Sequence, residues 1–273
     1  MTKFLRNAYR SATSFQKTFG PWSLVTGASS GIGSEFARLL AAQGLNVVVA
    51  ARRKSLLEAL AAELRDRFEV ESRTVVVDLA FEEAVGLLEQ AVLDLDVGLV
   101  VSNAGTGAPG RFLRQDHAEQ LERFRLNALA HLNIAYAFGR RLERRGGGVL
   151  ILGGAMGAAH GIPFMAADAG AKALVQSLGE SLHLELKDQG IQVMTLIVPP
   201  TDTAIIAKFG LDPSQMPMKP MSAEQCASEA LRDFRKGRSI SLPGRANRVM
   251  SAIVPVPLAR IMMGTMIRRT LPT

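Results

Sequence analysis

The sequence contains a single cysteine, Cys226, so no disulfide can form within the chain. A lone thiol with no framework of partners fits a reducing, cytoplasmic setting, which is the expected location. Aromatic residues make up only 5% of the 273 residues, while hydrophobic residues as a whole reach 48%. The core must therefore be built from Leu, Val, Ile, Ala and Met, which suits buried parallel strands. No apolar run reaches the roughly 18–20 residues that a bilayer span requires. Met1 to Phe19 alternates Phe and Leu with basic and hydroxyl residues, and it lacks the continuous apolar segment of a secretory signal. Acids are scarce at both ends. Residues 1–20 carry Lys3, Arg6, Arg10 and Lys17 with no acid, and residues 232–273 carry nine Lys and Arg against Asp233 alone. The net charge of +7 thus belongs to the termini, and the intervening segment is net acidic. Basic termini suit peripheral contact with an anionic membrane or an acidic partner. Nucleic-acid binding is not expected, because no platform combines aromatic and basic residues. His117, His131 and His183 show no metal-ligand spacing with each other or with Cys226, so no metal site is expected.

What the sequence does have is a regular alternation of strand and helix patterns. Short aliphatic runs at 23–26, 46–50, 74–77, 98–101, 149–152 and 192–198 read as strands. Between them lie helical patterns, among them 81–93, a long stretch from about Asp116 to Arg145, and a helix from Ala166 to about Asp188 stopped by Gly190. Six repeats of this alternation specify an α/β fold, a doubly wound parallel sheet with helices on both faces. The length suits one domain over 1–273. Its appendages are a basic N-terminal extension (1–20), a substrate lid around 202–238 rich in Pro and Met, and an apolar, basic tail (250–273). For that tail two readings stay open, an interfacial amphipathic helix and a docking helix on another subunit.

Ligands in such sheets bind beyond the carboxyl ends of the strands. The first of these ends carries Thr26-Gly27-Ala28-Ser29-Ser30-Gly31-Ile32-Gly33. Glycines there allow a tight turn and close approach of a pyrophosphate to the next helix N-terminus, whose N–H groups are free. The Gly-x3-Gly-x-Gly spacing resembles that of the short-chain dehydrogenase/reductase family, a Rossmann-like fold. Gly20-Pro21-Trp22 resembles the steroid and 3-ketoacyl reductase branch of its classical type. Ser102-Asn103-Ala104-Gly105 resembles the family's Asn-Asn-Ala-Gly segment, Asn127 its mid-helix asparagine, and Pro200-Thr201-Asp202-Thr203 the segment after its sixth strand. The resemblance covers roughly 20–205. It implies that Gly27, Ser29, Ser30, Gly31, Ile32, Gly33, Asp78, Leu79, Asn103, Ala104, Gly105, Lys172 and Thr203 hold a dinucleotide. After the second strand Arg52, Arg53 and Lys54 stand where an acid would select NAD, so the cofactor is expected to be NADP(H). Asp78 also reads as an N-cap for the next helix.

The family's catalysis uses Ser, Tyr and Lys together with Asn. Here Lys172 and Asn127 are present, but Asp168 stands at the tyrosine position and Ala155 at the serine position. No tyrosine occurs between Leu142 and Asp202. Asp168 lies four residues before Lys172, so a helical ion pair between them is expected. A carboxylate beside an ammonium is a poor acid at neutral pH and serves better as a base. His160, in the loop after the fifth strand, reads mainly as surface, and Tyr136 as helix packing.

Three functions stay open. The first is an oxidoreductase acting on an apolar carbonyl, alcohol or enone without the Ser-Tyr pair. The second is a redirected dehydratase, isomerase or cyclase using Asp168 as base. The third is a non-catalytic NADP(H)-binding protein. In each case the small-molecule ligand is expected to be hydrophobic. The resemblance further implies a homodimer or homotetramer built on residues 116–145 and 166–188.

Overall fold

The computed structural model describes residues 19–211, 216 and 219–271. The valine-rich runs become strands because β-branched side chains fit a pleated, buried surface. They are β1 (Trp22–Thr26), β2 (Asn46–Ala51), β3 (Ser72–Val76), β4 (Val97–Ser102), β5 (Gly148–Ala155) and β6 (Ile191–Val198). A short pair, β7 (Thr201–Asp202) and β8 (Met221–Ser222), stands apart, and β9 (Ile240–Ser241) joins the main sheet beside β6. The sheet is parallel throughout, in the order β3-β2-β1-β4-β5-β6-β9. The winding reverses between β1 and β4, and a crevice opens there beyond their carboxyl ends.

The helices are α1 (Gly31–Ala41), α2 (Lys54–Phe68), α3 (Ala84–Ala91), α4 (His117–Phe124), α5 (Ala130–Arg145), α6 (Ala166–Glu185), α7 (Ala204–Lys208), α8 (Ala223–Arg235), α9 (Arg245–Ile253) and α10 (Val256–Arg268). Successive strand residues point to opposite faces, so each strand feeds two cores. Val47 and Val49 join Phe36, Leu40, Leu64 and Phe234 under α1, α2 and α8. Val48 and Ala50 join Leu88, Ile134, Phe138 and Val175 under α3, α5 and α6.

Several boundaries differ from the expectations. The segment 202–238, expected as a lid, contains a core helix. Cys226, Ala227, Ala230, Leu231 and Phe234 form one helical stripe, and burying it against α1 makes α8 a core helix. Two of the prolines assigned to the lid, Pro213 and Pro217, lie outside the described residues. Phe19, within the expected N-terminal extension, belongs to the core: it is 1% exposed and meets the Phe234 ring edge-on at 5.5 Å. Lys3, Arg6, Arg10 and Lys17 lie outside the described residues. The seventh strand, β9, went unforeseen because two residues carry no periodicity. The long helix from 116 to 145 is interrupted by a π turn at Arg125–Leu129, and α3 is shorter than 81–93. The tail helices begin at Arg245 rather than 250.

Candidate active site

The crevice is floored by the turn between β1 and α1. Gly27 and Gly31 hold φ values of 67° and 59°, where a side chain would be strained. A Cβ on Gly33 would lie 2.4 Å from the Gly27 carbonyl oxygen, so glycine is required for α1 to start this close to the strand. Ser30, at the N-cap, makes no side-chain cap, and no acid occupies the first turn of α1. The helix therefore presents free N–H groups and a positive dipole end to the crevice. Ile32 is buried in the core beneath, so only its backbone faces a ligand. On the far side, Thr26 Oγ1 accepts hydrogen bonds from the Asn103 and Ala104 N–H groups at 3.0 and 3.2 Å. That contact seats Asn103-Ala104-Gly105 against the glycine turn. The methyl of Thr203 comes within 3.1 Å of where a Gly31 Cβ would stand.

At the outer end, Arg53 donates to both serines of the turn, to Ser29 Oγ at 2.8 Å and to Ser30 Oγ at 2.6 Å. A guanidinium with two hydroxyls beside a helix N-terminus is a cradle for a phosphate. Arg52 instead reaches Asp78 at 3.4 Å across exposed surface. Asp78 is not the N-cap of α3. Its Oδ1 accepts from the Ala80 N–H at 3.1 Å, closing a tight turn four residues before that helix begins at Ala84. Leu79 is buried in the core, which leaves its backbone alone available.

The inner end is built from side chains of two facing helices. Asp168, in the first turn of α6, is 6% exposed. Its Oδ2 accepts from the Ala108 N–H at 3.0 Å, and its Oδ1 faces Asn127 Nδ2 and Arg123 Nε, each at 3.4 Å. The expected Asp168–Lys172 ion pair is absent. One turn apart on the same helix, the carboxylate turns to Arg123 of α4, and the Lys172 ammonium turns to the end of β5. There Lys172 Nζ donates to the Gly153 carbonyl at 2.7 Å and to His131 Nε2 at 3.1 Å. Asn127 sits in the π turn. Its Oδ1 accepts from the Thr106 N–H at 3.0 Å, and its Nδ2 donates to the Thr106 carbonyl at 2.8 Å. It thereby pins the strand-to-helix loop that holds Gly105, where a Cβ would lie 3.2 Å from Lys172 Nζ.

His131 is the residue that sequence reasoning missed. It is fully buried, and its Nδ1 lies 2.8 Å from Ser102 Oγ. Burial above all, and then the Lys172 ammonium, hold its pKa well below the ordinary histidine value. It is a neutral ring. Its Nε2 also lies 3.1 Å from the Ala104 carbonyl, and it accepts from the Lys172 ammonium in the tautomer whose hydrogen sits on Nδ1 and donates to Ser102. The available signal was a pairing of oddities. Ser102 departs from the family segment, and a histidine sits four residues past Asn127. Burial draws the pKa of Lys172 down to about 8, opposed by the Asp168 charge.

Ala155 ends β5 and offers no hydroxyl. His160 is exposed. Tyr136 is not packing but 66% exposed, with Arg140 over its ring. The mouth is crossed by Lys208 of α7, which donates to Thr106 Oγ1 at 2.8 Å, and Phe209 and Met165 flank Gly107 there.

The family model described as "short chain dehydrogenase" matches residues 21–213. The chain belongs to the short-chain dehydrogenase family. This short-chain dehydrogenase is 31% identical over 209 residues to a very-long-chain 3-oxoacyl-CoA reductase of Meyerozyma guilliermondii, covering 72% of the chain but 61% of that relative. It spans less than two thirds of the length of that reductase. It is 30% identical over 189 residues to a 7beta-hydroxysteroid dehydrogenase of Clostridium sardiniense, covering 69% of the chain and 72% of the relative. Among solved structures, it is similar to a short-chain dehydrogenase from Sphingobium yanoikuyae in complex with NADPH. There the TM-score is 0.78 and the identity 29%, over 93% of this chain and 98% of the other.

Proposed function

We propose that this short-chain dehydrogenase is an NADP(H)-dependent reductase of an apolar ketone, of the 3-oxoacyl or steroid kind, in which Lys172 delivers the proton. The names of its relatives support the substrate class. The Arg53–Ser29–Ser30 cluster supports the phosphorylated cofactor, because it places a forked cation where a ribose phosphate meets the glycine turn. Bound there, NADPH supplies the hydride. The observation that carries the proposal is the division of labour on α6. Both oxygens of Asp168 are engaged by Ala108, Asn127 and Arg123, whereas Lys172 stands apart from it at the end of β5.

The chemistry follows from these positions. As hydride reaches the carbonyl carbon, the oxygen gains charge and needs a proton. The Lys172 ammonium gives one N–H proton to that oxygen, becomes a neutral amine, and is reprotonated from solvent. A general acid works best when its pKa lies near the working pH, and about 8 meets that condition. Gly153 and His131 fix the ammonium by accepting from it, and Asn127 fixes the loop opposite. The reading of Asp168 as a base loses its footing, because a carboxylate holding a buried arginine is not free to take a substrate proton. We propose further that copies pair through the helices of 116–145 and 166–188, where Leu121, Leu129, Leu132, Tyr136 and Leu184 stand exposed.

NADPH oxidation against a panel of apolar ketones and 3-oxoacyl thioesters tests the proposal. Reduction should decline above pH about 8, as Lys172 loses its proton. Lys172→Met should lower kcat by about 10²–10⁴. Asp168→Asn should keep activity but move the decline to lower pH, because the Asp168 charge holds the Lys172 pKa up. NADPH binding with no oxidation by any substrate supports a non-catalytic protein instead. Loss of activity in Asp168→Asn at unchanged stability supports the base.

A further inference from the structure

The last two helices show an organisation that the reductase reading leaves unused. Along α10, Arg260, Met263, Gly264 and Ile267 repeat at i, i+3, i+4 and i+7, and this stripe faces the protein. Arg260 Nε donates to the His160 carbonyl, Gly264 abuts Pro163, Met263 abuts Gly157, and Ile267 is 3% exposed. The helix is therefore held against the loop between β5 and α6, on the substrate side of the crevice. The opposite stripe repeats with the same spacing in Leu258, Ile261, Met262 and Thr265, and it faces solvent. On α9, Val249, Ala252 and Ile253 do the same. Ile253 is 72% and Ile261 66% exposed, values that isolated surface residues reach singly but that rarely continue across two helices.

We propose that the outer face of α9 and α10 docks on an anionic lipid surface. Charge decides the occupant. From Lys236 to Leu271 the sequence holds seven basic residues and no acid. Arg248 is tied to Glu229, whereas Arg245, Arg268 and Arg269 are exposed with no ion pair among the described residues. Apolar side chains rimmed by unpaired cations match an interface of acyl chains and acidic headgroups. A second copy of the same face is disfavoured, because a two-fold contact sets each patch against itself and would bring the cations together. The helices lie on the surface and do not cross it. At 1.5 Å per residue they are about 14 and 20 Å long, short of the roughly 30 Å hydrocarbon core, and the chain bends by 118° between them. The inner stripe of α10 packs on the substrate-side loop, so docking by the outer stripe would set the lipid one helix away from that loop.

Cosedimentation of the full chain with vesicles tests this independently of catalysis. Vesicles of phosphatidylcholine with about one third phosphatidylserine should pellet the protein, and pure phosphatidylcholine should pellet at least about tenfold less. The double variant Ile253→Asp/Ile261→Asp changes only exposed side chains, so its Tm should stay within a few degrees of the parent. It should lose at least about tenfold in vesicle affinity. Equal pelleting of the variant and the parent would place the contact elsewhere and overturn the proposal. So would a parent that ignores both vesicles, and so would a self-associated parent that the variant turns into a smaller species without any vesicle binding.

Discussion

The two ends of the crevice are built by different means. The outer end is made largely by backbone: the glycine turn and the start of α1 leave N–H groups pointing into the crevice, and Thr26 seats Asn103 and Ala104 beside them by accepting from their N–H groups. The inner end is made by side chains that meet across α4, α5, α6 and the ends of β4 and β5. Asp168, Arg123, Asn127, Lys172, His131 and Ser102 are each buried or part-buried there, and each depends on partners distant in sequence. A backbone site tolerates change around it as long as its glycines persist. A network of buried charges has no such slack, because removing one member strands another.

The sharpest way to break this comparison is Asp168→Ala. It leaves buried Arg123 with only the exposed Glu119 carboxylate at 3.8 Å, and unfolding in denaturant should show a loss of about 3 kcal/mol. A loss below about 1 kcal/mol would mean that the inner end is as forgiving as the outer. His131→Ala comes next. It strands Ser102 Oγ and opens a void, at a cost of about 2–4 kcal/mol. It should also lower kcat more than it raises KM, since Lys172 loses one of its two anchors. Arg53→Ala tests the outer end. NADPH affinity should fall about 10–100-fold in a fluorescence titration while NADH affinity stays the same, and the fold should keep its stability. Smallest is Arg52→Ala. The Arg52–Asp78 pair is exposed and long, so both stability and NADPH affinity should change by no more than about 0.5 kcal/mol or threefold.

This division also explains what could be read in advance. The sheet, its six longer strands and the glycine turn follow from local patterns, namely valine runs and glycine spacing, which one stretch of chain carries by itself. The bounds of α8 and the strand β9 did not. α8 sits in a segment whose prolines and methionines masked its helical stripe, and β9 exists only because β6 offers an edge to two residues. At the site, Lys172 and Asp168 were located, but their partners were misassigned. Helical spacing favours pairing them with each other, and only the tertiary fold brings Arg123 to one and His131 to the other. The basic tail was legible as composition. Its two opposed stripes required knowing which one the protein already covers.

The π turn at Arg125–Leu129 has a consequence for how this helix can change. Arg123, Asn127 and His131 are spaced by fours, and a uniform α-helix would carry them about 80° around its axis over those eight residues. Widening one turn takes up an extra residue and cancels most of that drift, so all three look toward Asp168 and Lys172. Tightening that turn into a regular helix at unchanged length would swing everything beyond by about 100°. His131 would leave Lys172, and Phe138 and Leu142 would leave the core with it. The helix therefore has a phase to keep. The wide turn between Arg123 and His131 can close only if one residue is lost with it.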